Sequence, residues 1–158
     1  MNEVWKKPPM SLAAYQGMVG REIGVSSWHL IDQKRIDVYA DVIEDHQFIH
    51  VDPERAKKET PFGTTVAHGF LTMSLMSIMS YEVMPVIEGT TMGVNYGFDK
   101  LRFISPVRPA RAYAAASRSQ KPSCGSRRSC SRAPTSSSRS RARTSLLVAD
   151  WIGLIYFE

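Results

Sequence analysis

The feature that most constrains this chain is an uncharged run, Phe70 to Tyr81, apolar or small at almost every position. Extended to 66–83, it sets Leu71, Met73, Leu75, Met76, Ile78 and Met79 nearly all round a helical wheel, between a Pro61-Phe62-Gly63 turn and Pro85. A helix this greasy has to be wrapped by other structure. Pro85 closes it, since proline lacks the N–H and clashes with the preceding turn. The full uncharged stretch from Thr60 is nominally long enough to cross a bilayer. Its proline, two glycines, histidine and many hydroxyls favour a buried helix with an entry loop instead. A length of 158 residues suits one domain, 1–158, around one core.

The flanking sequence supplies the cover. Residues 22–31 are β-branched and aromatic enough for a strand. Asp32 is a natural N-cap for a helix in which Ile36, Tyr39, Ala40 and Ile43 recur at helical spacing, ending near Glu44. Asp45–His50 keeps neither period and reads as a loop; Asp52-Pro53 then opens a short exposed helix to about Lys58. Thr91–Ile104 is the clearest strand, with Met92, Val94, Tyr96 and Phe98 on one parity and Leu101 and Phe103 on the other. The switch at Asp99-Lys100 predicts a bulge. Residues 146–157 are apolar on both parities, as in a strand buried on both faces.

The net charge of +5 invites a nucleic-acid reading, but eight arginines and one lysine fall within 109–144, which has no acid. Without those nine charges the chain holds 11 basic against 15 acidic residues, so the basicity belongs to one segment. That segment is arginine, serine, alanine and proline, with Tyr113 its only large apolar side chain and no aromatic interleaving for base stacking. It shows neither period. It reads as a disordered basic insert, as a linker, or as text from a shifted reading frame; the abrupt return of strand sequence at Ser145 fits the last best. Cys124 and Cys130, spaced C-x5-C with no partner histidines, make a poor zinc site. Lys6 and Lys7 are followed by Pro8, Pro9 and a weakly apolar run, so no signal peptide is expected, and the chain is taken as soluble and cytoplasmic.

Three of the four histidines, His46, His50 and His68, lie in one window with Asp45. A carboxylate five positions before an imidazole can hold its tautomer, raise its basicity or share a water with it, as proton transfer at a carbon centre requires. It can equally be a helix-ending acid beside a satisfied loop histidine. His68-Gly69 heads the greasy helix, where free N–H groups and the helix dipole favour developing negative charge and glycine lets a carbonyl oxygen approach. The alternative is that Gly69 only permits tight packing.

In this order, acid loop, short Asp-Pro helix and then Ala-His-Gly-Phe-Leu, the chain resembles the MaoC-like dehydratases. That group includes (R)-specific enoyl-CoA hydratases, and the NodN-like branch is nearest. The resemblance covers roughly residues 20–108 and 145–158. It implies an α+β hotdog fold, an antiparallel sheet wrapped around one long helix. It places Asp45 and His50 on the catalytic acid and histidine, Gly69 on the glycine whose amide polarises the thioester carbonyl, and Ser77 on a supporting serine. His68 stands with these on the substrate side. Gln47 stands where asparagine is usual and Phe48 where proline is usual; His46 is extra and expected to face solvent. The family places two long core strands where 109–144 falls. The implied chemistry is reversible hydration of a 2-enoyl thioester, with coenzyme A or pantetheine as the substrate's handle and no metal or redox cofactor. Homodimers with sites near the subunit boundary are implied too. The rivals are an acyl-thioester-binding or thioesterase-type protein on the same fold and, more remotely, a nucleic-acid module using the basic segment.

Overall fold

The computed structural model describes residues 7–119 and 145–158 in full and, between them, the backbone of Ser123–Ser126, Ser129–Ser131 and Thr135–Ser140. The side chains of Cys124 and Cys130, on which the zinc reading falls, lie outside the described residues, as do those of the later arginines.

Three of the helices begin where the sequence provides a cap. Ser11 accepts the Ala14 N–H and starts α1, Leu12–Gln16. Asp32 accepts the Arg35 N–H at 2.9 Å and starts α2, Gln33–Ile43, which buries Ile36 and Ala40. Asp52 accepts the Arg55 N–H and Pro53 takes the first position of α4, Pro53–Glu59. A one-turn helix α3, Phe48–Val51, stands between them. The long helix α5 runs Gly69–Val83, beginning three residues later than hydropathy suggests.

The stretch 22–31 is two strands rather than one: β1, Glu22–Val25, and β2, His29–Ile31. Ser26 to Trp28 interrupt them because Ser27 turns to bind Glu82 on α5, through its N–H at 2.6 Å and its hydroxyl at 2.9 Å. His29 Nε2 reaches the same carboxylate at 2.8 Å. This knot ties the start of the sheet to the end of α5.

The remaining strands are β3, Thr90–Phe103; β4, Arg111–Arg118; β5, Ser123–Ser126; β6, Ser129–Ser131; β7, Thr135–Ser140; and β8, Ser145–Phe157. All pairings between these strands are antiparallel, in the order β1-β4-β7-β8-β6-β5, with β2 also on β4 and β3 on β8. The expected bulge appears between Phe98 and Lys100, and β3 carries two further register shifts.

Within 109–144, where the sequence shows neither period, Arg111–Arg118 form the regular strand β4. Tyr113, Ala114 and Ala115 are each 1% exposed, and β4 pairs with β1, β2 and β7. Small residues buried on both faces of a central strand leave no alternation to detect, because both parities are apolar. Tyr113 joins Ile31, Ile36, Leu71, Met79, Val107 and Leu146 in the larger core cluster, and its hydroxyl donates to the Arg108 carbonyl at 3.0 Å. Tyr113→Ala is expected to cost about 3–5 kcal/mol in denaturant unfolding, the usual range for deleting a buried aromatic. A change under about 1 kcal/mol would place this strand outside the core.

Two expectations of burial also need correcting. The helix α5 is covered on the side of Leu71, Met76 and Met79, but Phe70 and Tyr81 are exposed. Similarly, β8 is buried at Leu146, Leu147, Ala149 and Trp151 and only half-buried from Ile152 to Phe157. Its partner β3 exposes Met92, Val94, Tyr96 and Phe98, so one wing of the sheet is apolar and uncovered in the single chain. Among the described residues no helix is long and apolar enough to cross a membrane.

Candidate active site

The acid loop is shaped by the end of α2. Glu44 caps that helix in the left-handed region, φ 60°, which swings the chain away from the helix axis. Asp45 then accepts the Gln47 N–H on Oδ1 at 3.2 Å, and Gln47 leads into α3. The part expected as loop is thus half helix, with His50 on α3. Both departures from the family pattern have a physical reading here. Phe48 occupies the first helical position, where proline fits but is not required. There the Arg55 guanidinium lies 4.0 Å over its ring. Gln47 sits at the N-cap without a capping bond, so the stabilisation an asparagine side chain gives is forgone.

His50 is 8% exposed and held at both ends. Its Nδ1 lies 2.6 Å from the Val66 carbonyl. A carbonyl can only accept, so Nδ1 carries the proton and Nε2 keeps its lone pair. Its own carbonyl accepts from Gln33 Nε2 at 2.7 Å, while Gln33 also donates to Asp37 and accepts from the buried Thr65 hydroxyl. Burial pushes the His50 imidazolium below the ordinary histidine value and His68 adds to this, against a smaller upward pull from the Val66 carbonyl and Asp45.

A histidine that resists protonation when folded contributes stability that is fully present above its unfolded value. That contribution is lost as pH falls from there through its lower folded value. The acidic limb of any activity that uses neutral His50 is expected below the ordinary histidine value of about 6.5. A limb centred well above that, in a pH profile of kcat/KM, would contradict the assignment.

His68, 3% exposed, is the junction of the cluster. Its ring stacks on His50 with centroids 3.7 Å apart and planes at 27°, and Tyr39 packs on it at 5.3 Å. Its Nε2 lies 3.0 Å from the main-chain carbonyl of Asp45 and 3.9 Å from that residue's carboxylate. The Asp45 side chain is 49% exposed and therefore open to solvent. Asp45, His50 and His68 bring one polar atom each within 4.8 Å of one another. Such a set could hold a metal in principle. However, two ligand imidazoles aim their ring planes at one ion, and face-to-face rings run side by side.

Gly69 follows as the first residue of α5, whose N-terminus has no side-chain cap. A Cβ there would stand 3.0 Å from the Phe103 ring, so the packing at this glycine is tight, and the amides of the first turn have no side-chain cap. Ser77 is half-buried eight residues on, about 12 Å along the helix axis. Its carbonyl accepts the Ser80 hydroxyl at 2.8 Å. His46 faces outward and pairs with Asp41 at 2.9 Å, as expected. Gln33, Tyr39, Thr65 and Phe103 were not legible as site residues. Gln33, Tyr39 and Phe103 reach His50, His68 and Gly69 from distant positions in the sequence, and Thr65 acts through Gln33, across elements whose packing no local pattern specifies.

Solved structures share this architecture. An X-ray structure of a monoamine oxidase regulatory protein from Archaeoglobus superposes with TM-score 0.79 at 21% identity, over 96% of this chain and 97% of that one. An R-hydratase from Pseudomonas aeruginosa does so with TM-score 0.68 at 20% identity, over 89% and 82%. The fold is therefore the α+β hotdog fold of the MaoC-like dehydratases. The profile of the MaoC like domain matches residues 14–133, and the chain belongs to that family. Nodulation protein N of Rhizobium meliloti is 56% identical over 99 residues, 63% of this chain and 62% of that protein. The 3-hydroxyacyl-thioester dehydratase Z of Mycobacterium tuberculosis is 43% identical over 97 residues, 61% of this chain and 63% of that protein. The matches thus span under two thirds of these relatives.

Proposed function

We propose that this protein is a hydro-lyase that interconverts 2-enoyl and 3-hydroxyacyl thioesters, with Asp45 and His50 as its acid–base pair. The observation that carries the reading is the pair's geometry. A buried imidazole with its Nε2 lone pair free and an open carboxylate lie within 4.8 Å, beside the uncapped start of α5. One water can hydrogen-bond to both groups across such a gap. In the hydration direction His50 Nε2 takes a proton from that water as its oxygen bonds to the β-carbon. The double-bond electrons move to the carbonyl, and the enolate-like oxygen is stabilised by the Gly69 N–H and the α5 dipole. The proton held on the His50 imidazolium then passes to the α-carbon, which completes the addition of H2O and returns His50 to its neutral form. Oxidation state is conserved overall, so acid–base groups suffice; coenzyme A or a carrier pantetheine serves as the substrate's handle. Relatedness to a 3-hydroxyacyl-thioester dehydratase supports the substrate class.

The same fold could serve thioester hydrolysis, in which water attacks the carbonyl carbon. Crotonyl-CoA separates the two: hydration consumes the enoyl chromophore without releasing thiol, whereas hydrolysis releases free coenzyme A.

The second part of the proposal is a homodimer built on the uncovered wing. Met92, Val94, Tyr96 and Phe98 on β3 expose a continuous apolar strip beside half-buried β8, which a second copy would cover. Sedimentation velocity is expected to show a dimer that Tyr96→Glu drives to monomer. A wild-type monomer at micromolar concentration would remove this part.

A further inference from the structure

We propose that His68 is the positioning residue of the Asp45–His50 pair, a single imidazole that holds one partner by hydrogen bond and the other by stacking. This rests on the reading of that pair given above.

Asp45 has few other ties: it follows the left-handed Glu44, its side chain is half-exposed, and its own bond is to Gln47 within the same loop. The His68 Nε2–H donor on the Asp45 carbonyl at 3.0 Å connects this loop to the start of α5. His50 is fixed at Nδ1 by Val66, but one hydrogen bond leaves a ring free to rock about it. The His68 face at 3.7 Å removes that freedom and aims Nε2.

His68 is itself well anchored. Its carbonyl accepts the Thr72 N–H, and the adjoining N–H groups of Val66 and Ala67 are bound to Ile49 and Val107. Two observations distinguish this role from ordinary core packing. At the N-cap of α5 its side chain makes no capping bond, so helix termination does not explain it. Its Nδ1 is buried without a partner, so the protein keeps an imidazole here although only one of its nitrogens is satisfied. Burying that atom is costly, and an apolar ring would stack as well.

The groups facing the stack are Asp45 from the loop, Tyr39 from α2 and His50 from α3; Asp37, also on α2, is engaged by Gln33. Face-to-face imidazoles disfavour a second charge, so His68 also keeps His50 neutral and able to accept a proton.

The test pairs two variants with an NMR readout that does not depend on turnover. His68→Gln keeps a donor for the Asp45 carbonyl but loses the ring. His68→Phe keeps the ring but loses the donor. Each is expected to lower kcat about 10²-fold, the scale of a small misplacement, with KM changed less than threefold. In His68→Gln the His50 titration, followed by its imidazole nitrogen shifts, should move to higher pH together with the acidic limb of kcat/KM. The wild-type nitrogen spectrum should show His68 protonated on Nε2 and His50 on Nδ1.

Folded variants with wild-type kcat and an unshifted His50 titration would overturn the proposal. So would a wild-type His68 protonated on Nδ1, a result that stands even if neither variant folds. A wild type inactive on enoyl thioesters with the expected tautomers and titration shift would instead sink the hydratase reading and leave the positioning role intact.

Discussion

His50→Gln is expected to lower kcat for enoyl-thioester hydration by about 10²–10⁴-fold, the contribution typical of a positioned general base. Glutamine retains a polar group near the Val66 carbonyl but offers no basic nitrogen at the Nε2 position, where the lone pair is held free of other partners. Asp45→Asn should fall in the same range, because a neutral amide lacks the negative charge that holds the shared water and stabilises the imidazolium formed on His50. The double variant should be little worse than either single one, since both groups act on one water and such losses are not additive. Stability should respond differently at the two positions. Asp45 is exposed on its side chain and its loss is expected to be mild, whereas His50 is buried and bonded to Val66. Activity loss at Asp45 without a fall in Tm therefore separates chemistry from folding.

The second large effect is at Gly69. A Cβ added there meets three atoms of the Phe103 ring at 3.0 to 3.2 Å. Phe103 is 48% exposed and touches Phe70 edge-on, so its ring can yield by a few tenths of an ångström. Gly69→Ala should accordingly change stability by no more than about 1 kcal/mol, the lower unfolded-state entropy of alanine offsetting the displaced ring. Catalysis should suffer far more. The new methyl and the shifted ring stand where a thioester oxygen has to approach the N-terminal amides of α5, and losing one such donor costs about 10²–10³-fold in kcat. Adding Phe103→Leu should relieve the ring contact but not restore the rate, because the obstructing methyl remains. Full recovery in that double variant would mean that Gly69 serves packing alone.

The parts legible in the sequence were those with short-range physical signatures. Asp32, Asp52 and Pro53 mark helix starts because a cap bonds within three residues of itself, and each bond is present. The bulge near Asp99-Lys100 was legible because a parity switch in an alternating strand has no other simple cause. Asp45, His50 and His68 were legible as a cluster through their residue types, and the fold brings them together.

What was missed depends on long-range placement. The strand β4 hid in alanine and serine that are buried on both faces and so carry no period. The break at Ser26 is imposed by Glu82, more than fifty residues away. The exposed side of α5 and the half-buried end of β8 read as core because apolar composition does not say which chain covers it. The role of His68 was legible only as a neighbour of Gly69; its stack on His50 and its bond to the Asp45 carbonyl arise from α3 and α5 meeting in space.

The most direct test of the account is incubation of the purified chain with crotonyl-CoA, following the enoyl chromophore and free thiol together, with His50→Gln alongside. The account predicts loss of the chromophore, formation of 3-hydroxybutyryl-CoA, no thiol release, and a variant reduced about 10²-fold or more. Thiol release by the wild type, or hydration by a folded His50→Gln variant at the wild-type rate, would contradict it.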